Sequence, residues 1–358
     1  MKVLVTGSEG YIGTVLVPLF EAAGHDVVGL DSGLFNDCGY VAGAPRSYPF
    51  IAKDVRQVGI ADLAGVDAVV HLAGISNDPL GDLDAECTYD INHRGTVHLA
   101  RVAKAAGVGR FAFSSSCSLY GAAGNEYLDE TASFNPVTPY GRSKLLSERD
   151  LIAMADDTFS PTYLRNATVY GMSGRLRGDL VVNNLTGYAF TTAAVLMKSD
   201  GMPWRPLVHV EDVARAFLAI IEAERALVHD RAFNVGRTSE NYRIREVAQL
   251  VEEVVPGSTA TFADTASPDL RNYRVNCDLI AQTLPQYQPT WTVRAGIEEL
   301  YQAYTELGLR LDDLTGPRLI RLEHIKDLLT SGRIDSALFP LDAGGQRTGF
   351  VSPAQAVR

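Results

Sequence analysis

No run of this chain is apolar for long enough to cross a bilayer, and residues 1–6, MKVLVT, enter a strand-like segment directly, without the sections of an export signal. A soluble, cytoplasmic protein with no membrane partner is expected. Cysteine is scarce: Cys38, Cys87, Cys117 and Cys277 lie far apart with no CxxC pair, which argues against a disulfide framework and a zinc cluster. The thiols read as buried and idle, and no metal is expected. Positive charge is short too. With 32 Lys and Arg against 43 Asp and Glu the formal charge is −11, so nucleic acid is not an expected partner. An arginine-lined pocket for a single diphosphate remains compatible with that balance. Internal repeats and low-complexity tracts are absent.

What is present is ordinary globular material, 46% apolar and 21% charged. At 358 residues the chain exceeds a usual single domain, so one large α/β body with a smaller second lobe is expected. Strand-like runs at 3–5, 27–30, 68–72, 110–114 and 162–165 alternate with amphipathic stretches at 12–23, 91–106 and 140–155. Such alternation means βαβ units and a parallel, doubly wound sheet. The pattern loosens after 172 and returns briefly at 207–223 and 232–235. The expected division is therefore 1–171 with 204–236 as the first body, and 172–203 with 237–341 as a discontinuous lobe. Residues 342–358, rich in Gly, Ala, Pro and Gln, read as a flexible tail.

The first strand runs into Gly7-Ser-Glu-Gly10-Tyr11-Ile12-Gly13 and then into an apolar helix pattern. Glycines at a strand-to-helix turn let a pyrophosphate approach bare backbone and rest on the helix N-terminus, the fingerprint of a Rossmann-type dinucleotide site. Asp31 ends the second strand run, where a carboxylate accepts hydrogen bonds from both ribose hydroxyls and repels a 2′-phosphate. No Lys or Arg follows before Arg46, so NAD is expected rather than NADP. Ser32 beside Asp31, Asp54 and Val55 after the third strand, and Leu72, Ala73 and Gly74 after the fourth are the further candidate cofactor contacts.

Tyr140-Gly-Arg-Ser-Lys144 sets a phenol and an ammonium four residues apart on one face of a helix opening after Pro139. For the tyrosine to serve as a base near neutral pH, roughly 3–4 kcal/mol must come from its surroundings. The Lys144 charge and an oxidised nicotinamide are suitable sources. Ser114-Ser-Ser116-Cys-Ser118 closes the fifth strand between the glycine turn and this helix.

Taken together, TGxxGYIG at 6–13, HLAG at 71–74, SSSCSLYG at 114–121, PYGRSK at 139–144 and RPLVHVEDVARA at 205–216 resemble the extended short-chain dehydrogenase/reductases. The likeness is to the NAD-dependent epimerase/dehydratase family of nucleotide-sugar enzymes and runs from Met1 to about Tyr304. It implies that Ser116 hydrogen-bonds the sugar oxygen being oxidised and that Tyr140 is the acid/base. Lys144 is then its partner and a ligand of the nicotinamide ribose, with Asn92 among the cofactor contacts. Arg205 matches an arginine that pairs with the substrate diphosphate, while Asn184 and Leu185 match residues lining the same phosphates. Ser76, Asn77, Ser118, Thr168 and Arg271 complete the expected substrate contacts, and a homodimer pairing the helix after Asn92 with the helix of Tyr140 is implied.

Within that family, 4,6-dehydratases carry Asp-Glu where this chain has Cys117 and Ser118, and uronate decarboxylases place a Glu at Ser118. Epimerases have a small or hydroxyl residue there. A C4 epimerase acting through a transient 4-keto sugar and enzyme-bound NADH is the leading expectation. A 4-dehydrogenase or 4-ketoreductase shares every residue named, and a non-catalytic NAD-sensing scaffold would need none of Ser116, Tyr140 and Lys144. Cys117 reads as packed behind the strand.

The chain also departs from the pattern. Ala266-Ser267-Pro268-Asp269 stands where a second diphosphate arginine is usual, with Arg271 and Arg274 displaced downstream. Thr168 replaces an asparagine, with Asn166 two places earlier, a loop amide or a ligand. Residues 307–340 extend beyond the usual family end, and the apolar spacing of the segment 321–332 suits packing, so no function is assigned to it.

Overall fold

Seven of the apolar runs assemble edge to edge. The computed structural model describes residues 1–40, 46–76, 84–197, 199–264 and 271–348. Fourteen strands follow in chain order: β1 Lys2–Thr6, β2 Asp26–Asp31, β3 Phe50–Ala52, β4 Ala68–His71, β5 Arg110–Ser116, β6 Ala122–Leu128, β7 Ser160–Asn166, β8 Thr168–Tyr170, β9 Ala194–Met197, β10 Trp204–His209, β11 Arg231–Val235, β12 Asn241–Arg243, β13 Thr259–Phe262 and β14 Asn272–Val275. The large sheet runs β11-β7-β5-β4-β1-β2-β3 with every pairing parallel. It is the Rossmann-type sheet expected from the alternation. The chain leaves β1 toward β2 and β3, then crosses to β4 and proceeds the other way, so the strand order reverses between β1 and β4. Ligands of such sheets sit at that reversal, beyond the carboxyl ends of the strands.

Continuous apolar strands need cover on both faces. One face packs against helices α1 (Gly13–Ala22) and, further along the chain, Val210–Glu222, through Val3, Val5, Leu16, Phe20 and Phe217. The other packs Leu4, Val69 and Phe111 against α2 (Gly95–Ala105) and α3 (Pro139–Ile152), through Leu99, Ala103 and Leu151. A π-helical turn, Tyr89–Arg94, leads into α2 where the sequence suggests one regular helix from 91.

A second apolar cluster joins α4 (Val181–Thr192), α6 (Ile244–Val254) and α7 (Val293–Leu307), where α5 is the helix Val210–Glu222 already placed. Three small sheets, β12-β10-β8, β13-β9 and β14-β6, connect this part to the large sheet's carboxyl edge.

The extension beyond the seventh helix folds back over that edge. Helix α8 (Arg321–Thr330) packs Ile325 and Leu328 against Ile75, Cys87 and Ile91, with Ile334 and Leu338 completing the cluster. Leu34 and Phe35, from the loop after β2, pack against the same group. Residues 342–348, at the start of the segment expected as a flexible tail, close a turn in which Leu341 bridges Arg347 and Asp342 receives the Gly344 and Gln346 amides. Residues 349–358 lie outside the described residues.

Candidate active site

The turn after β1 requires glycine at positions 7 and 13. Gly7 has φ +73°, and a Cβ there would stand 2.9 Å from the Ala73 nitrogen, while a Cβ on Gly13 would meet the Gly7 oxygen at 2.2 Å. Bare backbone therefore lets the turns after β1 and β4 close on each other and brings α1 up with its N-terminus open. Neither an acidic residue nor a side-chain cap occupies the first turn of α1. Asp31, at the end of β2, accepts the Glu9 amide at 3.1 Å and the Gly33 amide at 2.8 Å, which fixes its carboxylate beside the glycine turn.

These elements wall a cavity of about 530 Å³. Gly7, Gly10, Tyr11, Ile12, Gly13, Asp31, Ser32, Asp54, Val55, Leu72, Ala73 and Gly74 all line it. The Asp54 carboxylate is itself engaged by Arg56 at 2.8 Å. Asn92 does not reach the cavity. Its amide accepts from the Ile75 N–H at 2.7 Å and donates to the Ile75 carbonyl at 2.8 Å, so a buried side chain is spent on holding the loop after β4. Lys53 joins the wall, a cation that local reading around Asp31 passed over, and Asp62 holds it at 2.7 Å.

Helix α3 brings Tyr140 and Lys144 into the same cavity, together with Ser116 and Ser118. Thr138 caps the helix by accepting the Gly141 amide, and Pro139 opens it, which sets Tyr140 in the first turn. Lys144 is 5% exposed, donates to the Ser114 carbonyl at 2.7 Å and lies 5.7 Å from the centre of the Tyr140 ring. Burial draws its pKa down to about 8, and the Glu148 carboxylate only partly opposes this. Ser116 accepts the Ser118 amide at 3.1 Å, and the buried Ser118 hydroxyl has no partner among the described residues.

Beneath the site a charged network is fully enclosed. Glu148 pairs with Arg165 at 2.8 Å and accepts the Ser115 hydroxyl at 2.5 Å. His71, between Thr6 and Thr96 at 2.7 and 2.8 Å, has its pKa pushed down to about 3 by burial and by Lys144, so its ring is neutral. Cys117 donates to the Arg165 carbonyl at 3.0 Å, and burial raises its thiol well above the usual range. It is packed behind the strand.

At the far end, Thr168, Arg205, Arg271 and Tyr273 line the cavity. Arg205 is buried and donates to the Trp204 carbonyl at 2.7 Å and to the Arg271 carbonyl. Asn166 also lines it, donating to Ser114 Oγ at 3.0 Å while its Oδ1 is without a partner among the described residues. Asn184 and Leu185 do not reach the cavity. The Asn184 amide donates to the Gly178 carbonyl at 2.7 Å, and Leu185 is buried in the second apolar cluster. Arg274 stacks 3.9 Å from the Tyr127 ring centre. Asn77 and the segment 266–269 lie outside the described residues. Ser76 is in the wall and accepts from Arg177, which is clamped by Asp179 through two bonds of 2.9 Å. Arg177, Asp179 and, from the extension, Arg321 are wall residues that sequence reading did not single out. The GRLRGD run offered a hint for the first two; Arg321 carried no local signal.

The model of the NAD dependent epimerase/dehydratase family matches residues 3–236. The chain belongs to that family. Among its epimerase/dehydratase relatives, the UDP-glucose 4-epimerase of Erwinia amylovora is 29% identical over 332 residues, covering 84% of this chain and 95% of that protein. UDP-glucose 4-epimerase 4 of Oryza sativa subsp. japonica is 32% identical over 286 residues, 70% of this chain and 76% of that protein. Of solved structures, MoeE5 in complex with UDP-glucuronic acid and NAD superimposes with a TM-score of 0.74 at 26% identity, covering 86% of this chain and all (100%) of that one. No helix among the described residues is long and apolar enough to cross a membrane, and no group of His, Cys, Asp or Glu among them could hold a metal.

Proposed function

We propose that this protein epimerises a nucleotide-activated sugar at C4 with tightly held NAD. One observation carries the reading: a buried Lys144 and Tyr140 on one helix open into the same cavity as the glycine turn, with a hydroxyl, Ser118, where the family's dehydratases keep a carboxyl. The glycine turn, Asp31 and the open end of α1 fit a dinucleotide: a Cβ at Gly7 or Gly13 would collide with neighbouring backbone, so glycine there lets the tight turn form that presents the α1 N-terminus to a pyrophosphate. Bound NAD supplies the site where a hydride is held between removal and return. Tyr140 holds the proton of the sugar hydroxyl, and the Lys144 charge lowers the cost of the phenolate. Ser116 orients that hydroxyl. The two positions after Ser116 carry Cys117 and Ser118, not the carboxyl pair that the family's dehydratases use for loss of water.

In this reading the dinucleotide belongs to 1–171 with 204–236, and the nucleotide sugar to 172–203 with 237–341. Arg205 and Arg271 face the sugar-nucleotide diphosphate, with Ser76, Thr168 and Ser118 nearer the sugar. The enzyme works in the cytoplasm as a homodimer paired through α2 and α3. Incubation with a panel of nucleotide sugars, followed by NMR, tests the function: C4 isomers should form without added cofactor. Turnover that consumes added NAD or NADH instead would make it a 4-dehydrogenase or 4-ketoreductase.

A further inference from the structure

Arg321 opens helix α8, outside the stretch matched by the family model, and is only 4% exposed. Its guanidinium lies 4.6 Å from the centre of the Phe35 ring and donates through Nη2 to the Arg175 carbonyl at 3.3 Å. Nη1 has no acceptor among the described residues. Three other deeply buried arginines nearby have a carboxylate: Arg165 has Glu148, Arg175 has Glu9 and Arg177 has Asp179. Arg321 has none within ion-pair distance among the described residues. Burial holds its pKa below the arginine range, with the Arg177 charge adding to this, while Cys38 and the Asp179 carboxylate only partly oppose it. A buried cation without a counter-ion is costly, so the position is one an anion would relieve.

What lies next to it says which anion. Arg321 lines the same cavity as the glycine turn. The residue whose carbonyl it touches, Arg175, reaches on to the Glu9 carbonyl at 3.1 Å, inside that turn. There α1 presents its N-terminus without a side-chain cap, and the Tyr11 and Ile12 amides donate to no acceptor among the described residues. Open amides, a helix N-terminus and a guanidinium without a carboxylate partner line one cavity, a combination suited to one doubly charged group. We propose that Arg321 binds the diphosphate of the dinucleotide, so that the C-terminal extension is part of the cofactor site. The proposal rests on reading the cavity as an NAD site.

The extension is tied to the nucleotide loops on either side of Arg321. His324 Nε2 lies 2.9 Å from the Leu34 carbonyl, the Gly39 amide donates to the Arg318 carbonyl at 3.1 Å, and Arg56 donates to the Ala337 carbonyl at 3.0 Å. The segment therefore holds a cation over the cofactor without needing to move. Arg205 and Arg271, at the other end, serve the second diphosphate.

The test uses the full-length protein freed of nucleotide and titrated calorimetrically with NAD, with ADP-ribose, and separately with UDP. Arg321→Met should weaken NAD and ADP-ribose roughly ten- to hundredfold, the loss of a charge-assisted contact. UDP binding should be unchanged, and the melting temperature of the nucleotide-free protein should hold or rise, since an uncompensated buried charge is gone. Arg321→Lys should fall between. Unchanged ADP-ribose binding would overturn the assignment. So would weakened UDP with intact NAD, which would move the guanidinium to the sugar nucleotide, or a lowered melting temperature with all three affinities reduced, which would make it structural. If the wild-type protein bound neither NAD nor ADP-ribose, the cofactor reading itself would fall with it.

Discussion

The Lys144 ammonium stands 5.7 Å from the centre of the Tyr140 ring, one turn further along the same helix. Because burial draws the Lys144 pKa down to about 8, the charge that favours the phenolate is lost as pH rises through that value. The kcat/KM profile should therefore fall on an alkaline limb near pH 8, and a profile flat to pH 10 would count against it. The effect on folding has the opposite sense. A buried cation whose pKa is lowered from 10.5 destabilises the fold at low pH, and that penalty of about 3 kcal/mol is relieved between pH 8 and 10.5.

Tyr140→Phe keeps the ring and removes the proposed proton acceptor. Activity should drop roughly 10²–10⁴-fold while cofactor and substrate still bind, and Ser116→Ala should be milder. Isomer formation followed by NMR reads both, and wild-type turnover by the phenylalanine variant would dismiss the assigned base.

Asp31 has both carboxylate oxygens occupied by the Glu9 and Gly33 amides, so it cannot swing away from a 2′-phosphate. Lys53 is nearby but committed to Asp62. NADP should bind at least roughly tenfold more weakly than NAD, as expected for one like-charge contact. Equal affinities in a fluorescence titration would refute this.

Arg205→Ala should cost about 2–5 kcal/mol in nucleotide-sugar affinity if the side chain holds the substrate diphosphate. An unchanged dissociation constant would shift that role to Arg271.

Glu148 is 1% exposed and pairs with an equally enclosed Arg165. Removing one partner leaves a buried charge, so Glu148→Ala should destabilise the protein by about 3–5 kcal/mol in urea unfolding. A loss under about 1 kcal/mol would mean that water enters the network.

The parts legible in the sequence are those whose chemistry is local. Gly7 is required by its positive φ and Gly13 by the Gly7 and Ser8 carbonyls of its own turn, and Tyr140 and Lys144 share a face because four residues complete a helical turn. Asn92 and Asn184 misled because an amide serves backbone groups as readily as a ligand; here they hold Ile75 and Gly178. Arg321 was hidden for the opposite reason. Its neighbours, Phe35 and Arg175, come from distant segments of the chain, and nothing in RLEHIKDLL distinguishes a buried guanidinium from a solvated one.

The position of β11 at the edge of the large sheet bears on how the chain is made. β7 is buried along its whole length, yet its outer neighbour is built from residues 231–235, after the intervening lobe segment has been translated. At roughly 5–20 residues per second, the nascent chain carries β7 as a bare edge for several seconds. A polypeptide stopped at residue 230 would carry it permanently, an unpaired ladder open to strand addition from another copy. Chaperone capture during synthesis should therefore peak in the window between the emergence of β7 and that of β11.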